Sequence, residues 1–159
     1  MIFRLALPAD HAQLRRMIVD TFEPISWMKE ADGTFGPFNG LDWRERFARR
    51  LDPLLERGIV LIGEDAGSIQ AAALGSYDAA SGLGIVDFLA VDPAWQGSGH
   101  GRAMLNAMLR YLAALGATTA TLECLAGNGP ALALYRSEGW TEVATSIRFF
   151  RRLDGILER

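Results

Sequence analysis

Val91-Asp92-Pro93-Ala94-Trp95-Gln96-Gly97-Ser98-Gly99-His100-Gly101-Arg102 follows an apolar run and opens an amphipathic one, so three alternating glycines stand where a strand becomes a helix. Glycine lacks a Cβ, so such a turn brings consecutive backbone N–H groups close to a ligand, and the helix N-terminus behind them favours negative charge. The stretch predicts a phosphate site. Spacing decides which phosphate. A dinucleotide fingerprint needs a third glycine three positions after the second, where Arg102 stands, and the opening of the chain offers no βαβ unit leading to it. The nucleoside triphosphate loop needs Gly-Lys-Ser or Gly-Lys-Thr, and the chain has neither.

What remains is Gln96-x-x-Gly99-x-Gly101, followed downstream by Asn128-Gly-Pro-Ala131-Leu-Ala-Leu134-Tyr135-Arg-Ser-Glu-Gly139-Trp140. The two segments, in this order, resemble the two halves of the signature of the GCN5-related N-acetyltransferases (GNAT), which transfer acyl groups from coenzyme A. The resemblance is strong from about residue 85 to 142 and weak before it. It implies an α/β (α+β) fold: a mixed, mostly antiparallel sheet of six or seven strands flanked by about four helices, in a single domain over residues 1–159.

Hydrophobic periodicity gives an element order compatible with that fold. Ile2 to Ala6 alternates as a strand, and Asp10, three residues before Gln13, predicts a capping-box start to a helix carrying Leu14, Met17, Ile18 and Phe22. A second helix carries Trp43, Phe47, Leu51 and Leu54, with Pro53 expected to break it and Gly58 to stop it. Ile59–Ile62 and Ile69–Tyr77 read as a hairpin through Gly63–Ser68, and Ile85–Val91 as the next strand. The helix behind the glycine loop puts Arg102, Asn106 and Arg110 on one face and Met104, Leu105, Met108, Leu109 and Leu112 on the other. A strand at Thr119–Leu125, a helix at Pro130–Glu138 and one or two strands within Thr141–Arg151 complete the order.

Composition excludes several classes. With 159 residues and 50% hydrophobic content, one sizeable core forms without staples. A formal charge of −3 argues against broad nucleic-acid binding. No apolar run approaches the length of a membrane span, and Met1-Ile2-Phe3-Arg4 leads into a strand pattern without a signal-peptide core, so a cytoplasmic protein is expected. The lone Cys124 cannot form an internal disulfide, no Cys/His cluster has zinc spacing, and no metal is expected.

The resemblance assigns roles residue by residue. Backbone groups of Leu89, Ala90 and Val91 would hold the pantetheine arm of acetyl-CoA and polarise the thioester carbonyl; losing one such donor from an oxyanion site costs roughly 2.7–4 kcal/mol. Gln96, Gly97, Ser98, Gly99, His100, Gly101 and Arg102 would take the pyrophosphate. Tyr135, seven residues after Asn128, matches the family's general acid. An unperturbed phenol at about 10 stays protonated at neutral pH and can donate to a departing thiolate whose thiol has a pKa of about 8.5. Asn128 either contacts the pantetheine or caps its helix. Glu123, five residues before Asn128, matches the proposed base of the bacterial enzymes that acetylate ribosomal-protein N-termini, against a structural role in the sheet; Asp87 and Glu23 are lesser candidates.

Acceptor specificity is expected in the connection from Phe22 to Gly40. Trp27, Phe35 and Phe38 stand there among Pro24, Pro37, Gly33 and Gly36, too aromatic for a solvated linker and too broken for a helix. These aromatics and Glu23 are the candidate acceptor wall, with Glu23, Glu30 and Asp32 biasing it toward a cationic amine; the alternatives are packing against the core or a homodimer contact. The resulting expectation is acetyl transfer to a primary amine by direct attack. A small-molecule amine leads, a peptide N-terminus follows, and a non-catalytic acyl-CoA binding domain is the alternative.

Overall fold

A computed structural model of the chain describes residues 1–154 and 156. Alternation in Ile2–Leu5 forms β1, and His11–Phe22, Trp27–Phe35 and Trp43–Arg57 form α1, α2 and α3. Next come β2 (Ile59–Asp65), β3 (Ser68–Asp78) and β4 (Leu83–Val91), then α4 (His100–Ala114), β5 (Thr119–Leu122) and α5 (Gly129–Ser137). The strands lie in sequence order in one five-stranded sheet. The pairs β1–β2, β2–β3 and β3–β4 are antiparallel, and β4–β5 is parallel. The β2–β3 connection is a tight turn in which Ala66 and Gly67 both take positive φ (47° and 77°), matching the right-handed twist of the flanking strands.

Each sheet face carries its own core. Leu14, Met17, Ile18 and Val19 of α1 and Trp43, Phe47, Leu51 and Leu55 of α3 cover one face, meeting Val60, Ile62, Ala72, Leu74, Phe88 and Ala90. Met104, Ala107, Met108 and Leu112 of α4 cover the other, meeting Leu61, Ala71, Ala73 and Val86. Burying each large apolar side chain contributes about 1.5–3 kcal/mol, so these two stripes hold the layers together.

A bulge in β4 governs which face each residue serves. Leu74 pairs with Phe88 and Gly75 with Val86, leaving Asp87 as an extra residue opposite no partner. The alternation inverts across it: Val86 joins the α4 layer, whereas Phe88 and Ala90 join the α1/α3 layer.

Four expectations are corrected. The sheet has five strands among the described residues, not six or seven, with five α-helices. Thr141–Arg151 contains no strand, because its end is tied to α2 by side-chain contacts instead of to the sheet. The 22–40 connection is not too broken for a helix: Ser26 caps α2, accepting from the Lys29 N–H at 3.4 Å, and Gly36 with φ 78° stops it. Pro53 does not break α3; it lies on the exposed face, where the carbonyl it leaves unpaired can be hydrated. In addition, Asp10 accepts from the Leu7 N–H at 2.7 Å and pairs with Arg4 at 2.8 Å, so it does not cap α1 through its side chain. The reciprocal capping box occurs at α3, between Asp42 and Glu45 at 2.9 and 3.0 Å.

Candidate active site

The parallel β4–β5 ladder covers only Leu83–Val86 against Thr119–Leu122, so beyond Val86 the two strands part. The Asp92 N–H donates to the Gln70 carbonyl at 2.9 Å, which fixes the direction of the preceding backbone groups. In an antiparallel ladder successive residues alternate sides, so Ala90, opposite Ala72, directs its N–H and C=O toward β3. Leu89 and Val91 direct theirs into the gap. Of the three backbone candidates, two face the open edge and Ala90 does not. The Val91 carbonyl already accepts from the Gln96 side-chain amide at 3.0 Å and the Thr21 hydroxyl at 3.3 Å. The Leu89 and Val91 N–H groups and the Leu89 carbonyl are left to receive an extended ligand.

The glycine loop follows directly. Gly97 and Gly99 adopt φ 77° and 82°, left-handed values that an L side chain rarely takes, and no protein atom lies within 4 Å of where a Cβ would stand on either. Gly99 is the N-cap of the 15-residue α4 and supplies no side-chain cap; the first intrahelical bond is Ala103 N–H to Gly99 C=O at 3.0 Å. The N–H groups of His100, Gly101 and Arg102 therefore lack intrahelical partners at the positive end of the helix dipole, the arrangement a pyrophosphate fits. His100 contributes a buried Nδ1 without a hydrogen-bond partner and packs its ring against Trp95 at 5.9 Å. Ser98 lies exposed in the loop.

The Arg102 guanidinium is committed elsewhere. It pairs with Glu138 at 2.8 Å and donates to Ser137 Oγ at 3.1 Å, while Asn106 donates to the other Glu138 oxygen at 3.1 Å. The polar face that Arg102 and Asn106 share by helical spacing thus staples α4 to the end of α5. Only the Arg102 backbone N–H is offered to the loop site.

Helix α5 begins where Asn128 Oδ1 accepts from the Ala131 N–H at 3.4 Å, so Asn128 acts as a cap. Leu134 comes within 3.7 Å of a Cβ placed on Gly101, which puts α5 beside the glycine loop. One residue on, Tyr135 is half-buried with its ring against Trp140 at 6.1 Å. Burial, with a smaller contribution from neighbouring Cys124, pushes its phenol up to about 12. A proton held that firmly is available for donation at neutral pH. Burial likewise pushes the Cys124 thiol up, away from thiolate chemistry.

Two carboxylates flank the gap. Glu123 is exposed immediately past β5; Leu122 packs into the α4 layer, so strand alternation turns Glu123 toward the opposite face. Asp87 occupies the β4 bulge, where burial raises its carboxyl pKa against the opposing effect of Arg50. Arg50 of α3 stacks over Phe88 at 5.8 Å. Asp87, ranked low from sequence, is the carboxylate at the gap whose environment is tuned; a bulge cannot be read from alternation alone.

The aromatic connection assembles, although not as an open acidic wall. Trp27, Phe35 and Phe38 surround Phe150 at ring distances of 5.9, 5.9 and 6.2 Å. Glu23 is held by Lys29 at 2.9 Å and Arg44 at 2.5 Å, and these partners keep its carboxyl below the usual range. Asp32 is taken by Arg46 at 2.7 Å. Sequence reasoning missed Phe150 and Thr21, whose roles depend on long-range contacts that carry no local signal.

Residues 13–140 match the acetyltransferase (GNAT) family. Over 67 residues the chain is 39% identical to the ribosomal protein bS18-alanine N-acetyltransferase of Escherichia coli, covering 42% of this chain and 45% of that protein. Over 138 residues it is 31% identical to the mycothiol acetyltransferase of Streptomyces bingchenggensis, covering 82% of this chain and 45% of that protein. The chain thus spans less than half the length of these curated relatives. The crystal structure of the E. coli ribosomal-protein-S18-alanine N-acetyltransferase superposes with a TM-score of 0.64 at 22% identity, covering 90% of this chain and 79% of that one. The family match runs through the open β4 edge, the glycine loop and α5 alike, and the chain belongs to the acetyltransferase (GNAT) family.

Proposed function

We propose that the protein transfers an acetyl group from acetyl-CoA to a primary amine by direct attack of the neutral amine. The observation that carries this reading is the open β4 edge leading straight into an uncapped helix N-terminus, with a protonated tyrosine on the adjacent helix. Bound acetyl-CoA supplies a thioester, an acyl donor whose leaving group is a thiolate. The Leu89 and Val91 N–H groups orient its pantetheine arm, and a preorganised N–H at this edge stabilises negative charge developing on the carbonyl oxygen. The first-turn N–H groups of α4, with Gly97, Ser98 and Gly99, hold the pyrophosphate. Tyr135 donates its proton to the departing sulfur.

Glu123 takes the proton from the attacking amine, directly or through water. A second assignment, Asp87, is favoured by its raised pKa, and comparing Glu123→Gln with Asp87→Asn decides between them. A small-molecule acceptor leads; the bS18-alanine relative supports an α-amine as the attacking group.

The test is a thermal melt with acetyl-CoA, using NAD and ATP as controls. At about 100 times its dissociation constant a specific ligand adds about 2.7 kcal/mol, a rise of several degrees for a domain of this size. A shift with acetyl-CoA alone is expected; a folded protein that shows none refutes the reading.

A further inference from the structure

We propose that the acceptor amine carries a carboxylate, received by Arg148 and Arg152, and an apolar or aromatic body that lies along Trp27 and Phe35. This rests on reading the parted β4–β5 edge as the acyl-CoA site. The acceptor side of that edge is located by two contacts: Thr21, at the end of α1, bonds the Val91 carbonyl, and Trp27 packs on the core cluster that contains Phe88 and Ala90.

The charges on this side decide the class of acceptor. Its acids are already neutralised within the protein: Asp20 and Glu23 by Arg44, Glu23 also by Lys29, and Asp32 by Arg46. Glu30 stands exposed on α2. Arg148 and Arg152, by contrast, form no ion pair among the described residues, yet both are held in place. The Arg148 guanidinium stacks over Trp27 at 4.0 Å. Arg152 lies over Phe35 at 5.5 Å and donates to the Phe35 carbonyl at 2.9 Å.

Between them the Phe150 ring sits against both aromatics and fixes the segment that bears the two arginines. A guanidinium stacked on an aromatic face keeps its N–H fork directed outward, and that fork matches a carboxylate. An acceptor bearing only positive charge meets repulsion here, whereas one with an amine and a carboxylate on the same small apolar frame has both ends matched. An α-amine, with a pKa of about 7.7–8.0, also reaches the gap partly neutral, as direct attack requires.

The experiment is calorimetric titration of the CoA-saturated protein with N-acetylphenylalanine and with its neutral amide. Acetylation removes amine titration from the comparison, so the pair differs only in the carboxylate. Binding of the acid at least about tenfold tighter than the amide is expected, with Arg148→Gln and Arg152→Gln each removing most of the difference. Equal affinity, tighter binding of the amide, no binding of either, or a preference that survives both substitutions overturns the proposal. The acetyl-CoA melt separates the two levels. A shift there without carboxylate preference refutes only this inference, and no shift refutes the acyl-CoA site beneath it.

Discussion

Replacing Arg46 with alanine tests how the acceptor side is held together. Arg46 lies in α3 but reaches back to the preceding segment: it pairs with Asp32, donates to the Leu41 carbonyl at 2.9 Å and the Met28 carbonyl at 3.4 Å, and stacks over Phe38 at 4.2 Å. The two charged side chains are only 16% and 13% exposed, and Asp32 Oδ1 has no other partner. Breaking a buried pair from one side costs about 3–5 kcal/mol because the surviving charge stays buried. The residual exposure of both groups places this pair near the lower figure.

At about 3 kcal/mol the Tm falls by about 6–12 °C, and amide exchange in α2 accelerates more than in α4. The partner variant Asp32→Asn should cost less, since an amide left behind is cheaper to bury than a carboxylate. Differential scanning calorimetry reads the first effect and hydrogen exchange the second. An Arg46→Ala protein that melts within about 2 °C of the parent refutes the staple.

Tyr135→Phe should lower kcat about 100-fold or more while leaving the acetyl-CoA Kd within about twofold, measured by stopped-flow and by calorimetry. Because burial holds the phenol up to about 12, the rate should climb as the amine deprotonates and show no alkaline decline through about pH 9.5. The same shift contributes stability fully present below about pH 10, where an unfolded tyrosine ionises, and lost as the pH rises toward the folded value, so alkaline melts should separate parent from Tyr135→Phe only above about pH 10. Gly99→Ala, at φ 82°, should weaken acetyl-CoA binding and lower stability by about 1 kcal/mol. Gly75→Ala should destabilise by about 1–3 kcal/mol or more, because its Cβ would stand 2.2 Å from the Ile85 carbonyl oxygen, a backbone atom that cannot turn aside.

The parts of the site legible in the sequence are those whose chemistry is local. Gly97 and Gly99 announce left-handed backbone, and Asn128 with Pro130 announces a helix start, wherever the rest of the chain lies. Sequence spacing from Asn128 likewise singled out Tyr135. What could not be read depends on neighbours distant in sequence. The partners of Glu23 and Asp32 come from other turns, so two carboxylates that look available to a cation are already spent on Arg44 and Arg46. Helix α2 hid behind its glycine and aromatics because Ser26 and Gly36 bracket it while the buried faces of Met28 and Ala31 supply the packing. The Thr141–Arg151 pattern alternates as a strand should, but Phe150 and Arg152 draw that segment to α2.

Asp87 matters to β4 by being counted as well as by being charged. Upstream of it, even-numbered residues pack under α4; downstream, even-numbered residues pack under α1 and α3, and the odd-numbered backbone groups open onto the gap. Any residue at that position preserves this phase, whereas removing the position would swap Phe88 and Ala90 with Leu89 and Val91 between the two cores and turn the cofactor edge inward. The strand should therefore accept many letters at residue 87 and no change in its length.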